Sequence, residues 1–264
     1  MMKKFRAAFV NCGGADSINY VYNEGQRSRA AEIADFMPGV YGEADILGGK
    51  LAEVEVIFST WGMPALNGAM MDAMPSLRAV FYAAGATEAF APACFERGVK
   101  VFSAWNANAV PVAEFCLAEI LLALKGYYRY VRTLTGPEEF NHGKTGPGIY
   151  GETVALIGDG AISRKLQQLL ANFNLNILVV PSRKEDRGNL LEEAFRTAQV
   201  VSNHLPNRDD DTAVLDGKLF ETMRPGAVFI NTGRGRQVNE AEMIEVLRKR
   251  PDLSALLDVT WPEP

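Results

Sequence analysis

The sequence predicts an α/β protein made of two doubly wound parallel sheets with helices on both faces. Three observations carry that expectation. Short apolar runs alternate with helical patterns from Phe5 to Ser103; a strand, a glycine turn, a helix and a second strand follow one another within Thr153–Arg183; and the alternation then resumes to the end of the chain.

In the first part, strand runs are read at Phe5–Val10, Val54–Ser59, Leu77–Tyr82 and Val99–Ser103. Helical patterns lie between them near Arg27–Phe36, Pro64–Met74 and Thr87–Arg97. Parallel sheets of this kind bind ligands at the carboxyl ends of their strands. Two such ends are Ser59-Thr60-Trp61-Gly62 and Tyr82-Ala83-Ala84-Gly85-Ala86. The second is small and contains glycine, so its N–H groups could grip a carboxylate, although by itself it reads as an ordinary tight turn.

Pro111–Val131 is a long helical pattern with Pro111 placed as for a first turn. It is apolar on more than one side, as expected of a helix packed between elements or subunits. Thr135–Tyr150 is rich in glycine and proline and reads as a connector, with His142 a solvated loop residue. Past the connector, Thr153–Ile157 and Asn176–Val180 read as buried strands joined through Gly158-Asp159-Gly160 and a helix whose apolar face holds Ile162, Leu166, Leu169 and Leu170. This is the βαβ unit that holds a dinucleotide. Gly158 permits the tight turn, Gly160 lets backbone N–H groups approach a pyrophosphate, and the helix N-terminus adds partial positive charge. Leu190–Ala198, Leu215–Met223 and Glu240–Arg248 read as helices, and Val200–His204, Ala227–Asn231 and Leu253–Val259 as strands. Domains are expected at residues 1–105 and 106–264.

Two details depart from the dinucleotide fingerprint. Ser163 stands at the third glycine position, and the acid expected about twenty residues on, which would bind the ribose 2′-hydroxyl, is missing. Pro181-Ser182-Arg183-Lys184 stands there instead. Ser182 can donate to a 2′-phosphate and Arg183 or Lys184 can pair with it, so NADP(H) is favoured, with NAD(H) as the alternative.

Composition narrows the class. The chain has 264 residues, 48% hydrophobic and 22% charged, with a net charge of −5. That balance suits a soluble globular protein and leaves no basic block for nucleic acid. The opening apolar run is too short for a secretion signal or membrane span. Cys12, Cys94 and Cys116 are odd in number and scattered, so reduced thiols in a cytoplasmic protein are expected, with no disulfide framework or metal site.

The strand Ala227–Asn231 runs into Thr232-Gly233-Arg234-Gly235. A guanidinium there suits a 2-oxo acid, since its fork holds a carboxylate or polarises the neighbouring carbonyl; the other reading is a surface loop arginine. Asp258 and Glu263 follow the next strand. His204 either lines a cofactor site or is a hydrogen-bonded strand-end histidine.

Taken in order, NAVPVAEF, LIGDGAISRKL, SNHLP, MRPGAVFINTGRG and LLDVTWPEP resemble the D-isomer-specific 2-hydroxyacid dehydrogenases over essentially the whole chain. That is the family of phosphoglycerate dehydrogenase, formate dehydrogenase and glyoxylate/hydroxypyruvate reductase. The resemblance implies a flavodoxin-like substrate domain followed by a Rossmann nucleotide-binding domain, and hydride transfer between a nicotinamide cofactor and a small 2-oxo or 2-hydroxy acid. It implies that Arg234 is the substrate-binding catalytic arginine and Glu263 the acid that partners a catalytic histidine. Ala84 and Gly85 would grip the substrate carboxylate. Ala161, Ile162 and Arg164 would flank the pyrophosphate, Leu205, Thr232 and Gly233 would approach the cofactor, and Asp258 would sit beside the nicotinamide. The helix from Pro111 resembles the family's dimer-forming element, so a homodimer is expected. Neither His142 nor His204 lies in the family's histidine motif, which follows the glutamate; the chain stops within WPEP, and a truncated, weakly active or inactive product is the expectation. The alternatives are a non-catalytic dinucleotide-binding regulator on the same scaffold and a different dinucleotide-dependent enzyme.

Overall fold

The structure is a computed structural model that describes residues 3–136 and 146–262. It divides into two compact units, Met1–Asn108 and Ala109–Pro264. Each contains one five-stranded parallel sheet, in agreement with the expected fold class.

In the first unit the strands are β1 (Phe5–Val10), β2 (Ala34–Tyr41), β3 (Val56–Ser59), β4 (Ala79–Tyr82) and β5 (Lys100–Ser103), in the order β2-β1-β3-β4-β5. The helices are α1 (Ala15–Val21), α2 (Glu24–Ala31), α3 (Glu43–Leu47), α4 (Gly68–Asp72) and α5 (Ala91–Glu96). Alternation along the strands splits the side chains between two faces. Val10, Ile57, Val80 and Tyr82 enter a core with Ile46, Leu51, Met70, Met74 and Phe90. On the other face Phe58, Phe81 and Phe102 stack at centroid spacings of 5.2 and 4.9 Å.

One expectation fails here. The pattern Arg27–Phe36 is not one helix: α2 ends at Ala31, and Ala34–Tyr41 is an edge strand. Ala34 and Phe36 pack on the same side of the sheet, a period of two that a helical reading misses. Pro38 and Gly39 are tolerated because the strand has a neighbour on one side only.

The second unit holds β6 (Glu152–Ile157), β7 (Leu175–Val180), β8 (Val200–Asn203), β9 (Val228–Asn231) and β10 (Ser254–Leu257), ordered β10-β9-β8-β6-β7. Its helices are α8 (Ala161–Leu170), α9 (Leu190–Thr197), α10 (Gly217–Glu221) and α11 (Glu240–Lys249). They are preceded by α6 (Trp105–Leu124) and α7 (Tyr127–Thr133). Counted within either unit, the strand order is 2-1-3-4-5, whose ligand crevice opens where the first and third strands diverge. In the second unit that point lies between the ends of β6 and β8. Phe195, Phe220 and Phe229 fill one side of its sheet. Ala113, Cys116, Ile120 and Leu124 of α6 cover the other, against Leu156, Val200 and Ile230.

The long helix also departs from expectation. It begins six residues before Pro111, which therefore sits inside it, and stops at Leu124, where Gly126 adopts a φ of 77° before α7. A proline there forfeits one helical hydrogen bond, while burial of the following apolar residues holds the helix together. Among the described helices α6 is the one whose length and composition would suit a membrane crossing; here its buried side chains belong to the core of the second unit.

Candidate functional site

The carboxyl ends of β6 to β9 carry most of the predicted residues. Gly158 follows β6 with a φ of 105°, and a Cβ added to it would lie 2.7 Å from the His204 carbonyl oxygen. Backbone conformation and close approach of the β8 segment thus both require glycine. Gly160 is different: its φ is −72°, and an added Cβ would meet nothing within 4 Å. It is the N-cap of α8, and no side chain caps that helix. The first helical bond runs from the Arg164 N–H to the Gly160 carbonyl at 3.0 Å. The N–H groups of Ala161, Ile162 and Ser163 are therefore free of intrahelical partners and lie at the positive end of the helix dipole. This open cradle fits the pyrophosphate of a dinucleotide. Arg164 Nε donates to the Asp159 carbonyl at 2.9 Å, tying a cation to the same turn. Ser163 is fully buried, so its small side chain permits the close helix–sheet packing that a third glycine would.

At the end of β7, Ser182 is not free to meet a phosphate. Its N–H and its hydroxyl donate to Asp159 Oδ1 at 3.0 and 2.5 Å, and its hydroxyl accepts from the Asp159 N–H at 3.0 Å. The Ser182 hydroxyl and N–H hold the Asp159 carboxyl below the usual carboxylate range. Arg183 is exposed.

Below these turns lies an amide lattice that sequence reasoning missed. Asn203 Nδ2 donates to Asn231 Oδ1 at 2.9 Å and to Gln237 Oε1 at 2.8 Å. Gln237 Nε2 donates to the carbonyls of Leu205 and Pro206 at 3.2 and 2.7 Å, and its Oε1 accepts from the Arg234 N–H at 3.1 Å. All three side chains are fully buried. They fix the backbone at Leu205, Gly233 and Arg234, three of the predicted positions. Arg234 itself is half-buried, its Nη1 donates to the Gly233 carbonyl at 2.7 Å, and it makes no ion pair among the described residues. Gly235 lies against the Thr260 backbone, where an added Cβ would come within 2.1 Å. Asp258 is exposed, and its N–H donates to the Asn231 carbonyl at 3.0 Å. The unit thus gathers Gly158, Ser182, Leu205, Thr232, Gly233, Arg234 and Asp258 at one edge of its sheet. Glu263 and His142 lie outside the described residues.

His204 is buried. Its Nδ1 lies 3.2 Å from the Thr232 hydroxyl, which in turn lies 3.5 Å from Cys116 Sγ, and its Nε2 has no hydrogen-bond partner among the described residues. Burial pushes its pKa down to about 4 and raises that of Cys116. An unfolded histidine titrates near pH 6.5, so between about pH 6.5 and 4 the unfolded chain binds a proton that the folded chain refuses. Stability therefore falls as pH drops through that window, by about 3 kcal/mol from this group. Relative to a His204→Asn protein, the wild type is expected to lose that amount between pH 7 and 4 in denaturant titrations.

In the first unit, the Ala83 N–H donates to the Ser59 carbonyl at 2.8 Å, and the Ser103 hydroxyl lies 2.8 and 3.0 Å from the carbonyls of Ala84 and Gly85. Peptide planarity then turns the N–H groups of Gly85 and Ala86 away from Ser103.

Residues 117–264 match the family model described as D-isomer specific 2-hydroxyacid dehydrogenase, NAD binding domain. The chain is 30% identical over 200 residues to (S)-sulfolactate dehydrogenase of Chromohalobacter salexigens, covering 72% of this chain and 65% of that protein. It is 26% identical over 208 residues to D-3-phosphoglycerate dehydrogenase of Mycobacterium leprae, covering 75% of this chain and 39% of that one. The match thus spans less than two thirds of either relative. The holo form of D-mandelate dehydrogenase from Rhodotorula graminis superposes with a TM-score of 0.75 at 21% identity, covering all of this chain and 83% of that one; at that identity the likeness speaks for the fold. The glycine turn, the SNHLP and NTGRG strand ends and a family match over more than half the chain lead to one conclusion: this chain belongs to the D-isomer specific 2-hydroxyacid dehydrogenase family.

Proposed function

We propose that the protein is a nicotinamide-dependent oxidoreductase that interconverts a small 2-oxo acid and its 2-hydroxy acid. The observation that carries this reading is the uncapped N-terminus of α8 behind Gly158-Asp159-Gly160, open at Gly160 and faced by the Arg164 cation. When bound, the nicotinamide supplies or accepts the hydride. Ala161, Ile162 and Arg164 hold the pyrophosphate, while Leu205, Thr232, Gly233 and Asp258 line the rest of the cofactor. Arg234 pairs with the substrate carboxylate and stabilises the negative charge that develops on the reacting oxygen, which takes up a proton from solvent as the 2-hydroxy acid forms and returns it in the oxidative direction. The Ala84–Gly85 turn of the first unit is a carboxylate-gripping element with the N–H groups of Gly85 and Ala86 as donors. His204 is poorly placed to donate a proton: burial lowers its pKa, its Nδ1 faces the Thr232 hydroxyl and its Nε2 is buried. The guanidinium of Arg234 beyond the β9 end, half-buried and without an ion pair among the described residues, favours this reading over that of a non-catalytic regulator.

Two copies associate through α6, whose Val110, Phe115 and Leu122 remain exposed. The free thiols Cys12, Cys94 and Cys116 suit a reducing, cytoplasmic compartment.

Gly160→Ala tests the reading. The backbone there accepts a methyl group and nothing stands in its way, so the melting temperature should not move. The methyl group would occupy the space needed by a pyrophosphate, and affinity for reduced cofactor, read by fluorescence titration, should fall by about 10-fold or more. Unchanged affinity in the variant would refute the assignment of this turn.

A further inference from the structure

We propose that Asp159 is the residue that reads the adenosine ribose, and that it makes this chain prefer NAD(H) over NADP(H). The inference rests on the nicotinamide-cofactor reading above and reverses the preference expected from Pro181–Lys184.

In the usual arrangement an acid at the end of the second strand accepts from the ribose 2′-hydroxyl. Here that strand end carries Pro181 and Ser182 and no acid. The structure brings one there from the glycine turn. Asp159 and Ser182, 23 positions apart, are joined by three hydrogen bonds: Ser182 N–H and Oγ to Asp159 Oδ1, and Asp159 N–H to Ser182 Oγ. The carboxylate is thus fastened across the end of β7 by its Oδ1, which leaves Oδ2 available as an acceptor.

The strand end that carries it is itself anchored. Arg187 Nε donates to the Pro181 carbonyl at 3.2 Å and Nη2 to the Ser182 carbonyl at 2.6 Å. The same guanidinium pairs with Asp211 at 2.6 Å, with both side chains almost fully buried. The position of the acid is therefore set by packed structure.

Two consequences follow for the ligand. A ribose hydroxyl is a donor and gains an acceptor in Asp159. A 2′-phosphate needs donors, and the two that Ser182 offers are already engaged by an anion, beside which a second anion is repelled. The nearby cations do not offset this: Arg164 is tied to the Asp159 carbonyl and is assigned above to the pyrophosphate. Arg183 and Lys184 are exposed, next to exposed Glu185 and Asp186, and Arg208 Nη1 lies against the Ser182 carbonyl at 3.4 Å. Removal of the Asp159 charge would release Ser182 and leave these cations to a phosphate.

The experiment is titration of the 264-residue protein with NADH and with NADPH, by fluorescence or calorimetry, in the wild type, Asp159→Asn and Asp159→Ala. The asparagine keeps an acceptor for Ser182 without the charge, so its folding should be unaffected. The wild type should bind NADH at least about 10-fold tighter, and both variants should shift the ratio of the two dissociation constants toward NADPH by about 10-fold or more. Wild-type NADPH binding as tight as NADH, or a ratio unmoved by both substitutions, overturns this proposal and leaves the nicotinamide reading standing. A folded wild type that binds neither cofactor overturns both.

Discussion

In a complete enzyme, Arg234→Ala is expected to lower kcat/KM for a small 2-oxo acid such as glyoxylate by about 10²- to 10³-fold, the loss typical of removing one donor from a developing oxyanion. The side chain is only half-buried, and its intramolecular hydrogen bond goes to the adjacent Gly233 carbonyl. Among the described residues no core packing and no buried ion pair depends on it, so unfolding free energy should change by no more than about 0.5 kcal/mol. The backbone that carries it is held independently, by Gln237 Oε1 at its N–H. NADH affinity should likewise persist, since the pyrophosphate cradle lies at the β6 end. Steady-state kinetics, a urea titration and a cofactor titration on the same variant separate these outcomes. Full activity in Arg234→Ala would remove the arginine from the mechanism, and loss of folding would make its role structural.

The second large effect is on stability. Asp211→Ala should destabilise the fold by about 3–5 kcal/mol, because it leaves the Arg187 guanidinium buried without its counter-ion. The pair is almost wholly removed from solvent, with the side chains 4% and 1% exposed. Arg187→Met/Asp211→Leu, which removes both charges and keeps volume, should recover most of that loss. It should not recover cofactor affinity, because Arg187 also holds the carbonyls of Pro181 and Ser182. Urea midpoints for the two variants, with NADH titration of the double variant, check both statements.

Much of the second unit was legible in the sequence because its signals are local. Gly158 and Gly160 sit between a β-branched run and an amphipathic helix, and the structure builds the turn there. Arg234 stood out because a strand pattern ends just before it. What was not legible depends on neighbours far apart in sequence. Asn203, Asn231 and Gln237 read as ordinary polar residues until β8 and β9 lie side by side and bury them. The acid sought after β7 is absent from its usual place, and the carboxylate that lies at that strand end comes from Asp159 in the preceding turn, a pairing visible only once the two segments are folded together. Edge strand β2 was hidden by the helical period of α2, which runs on past Ala31 into Ile33 and Phe36, and only the sheet assigns Ala34 and Phe36 to one face. Pro111 misled because the rule for a first-turn proline is strong, yet one lost hydrogen bond is small beside the core packing of α6.

The central claim is that the β6–α8 turn binds a dinucleotide by its pyrophosphate. Amide hydrogen exchange of the protein with and without saturating NADH tests it most directly. In the free chain the N–H groups of Ala161 and Ile162 have no intrahelical partner and belong to residues that are not fully buried, so they should exchange quickly. With NADH, protection should rise across Gly158–Arg164, and at Leu205 and Gly233 where the neighbouring strands end. Saturating cofactor that leaves Gly158–Arg164 unprotected, or protects another part of the chain instead, would contradict the account.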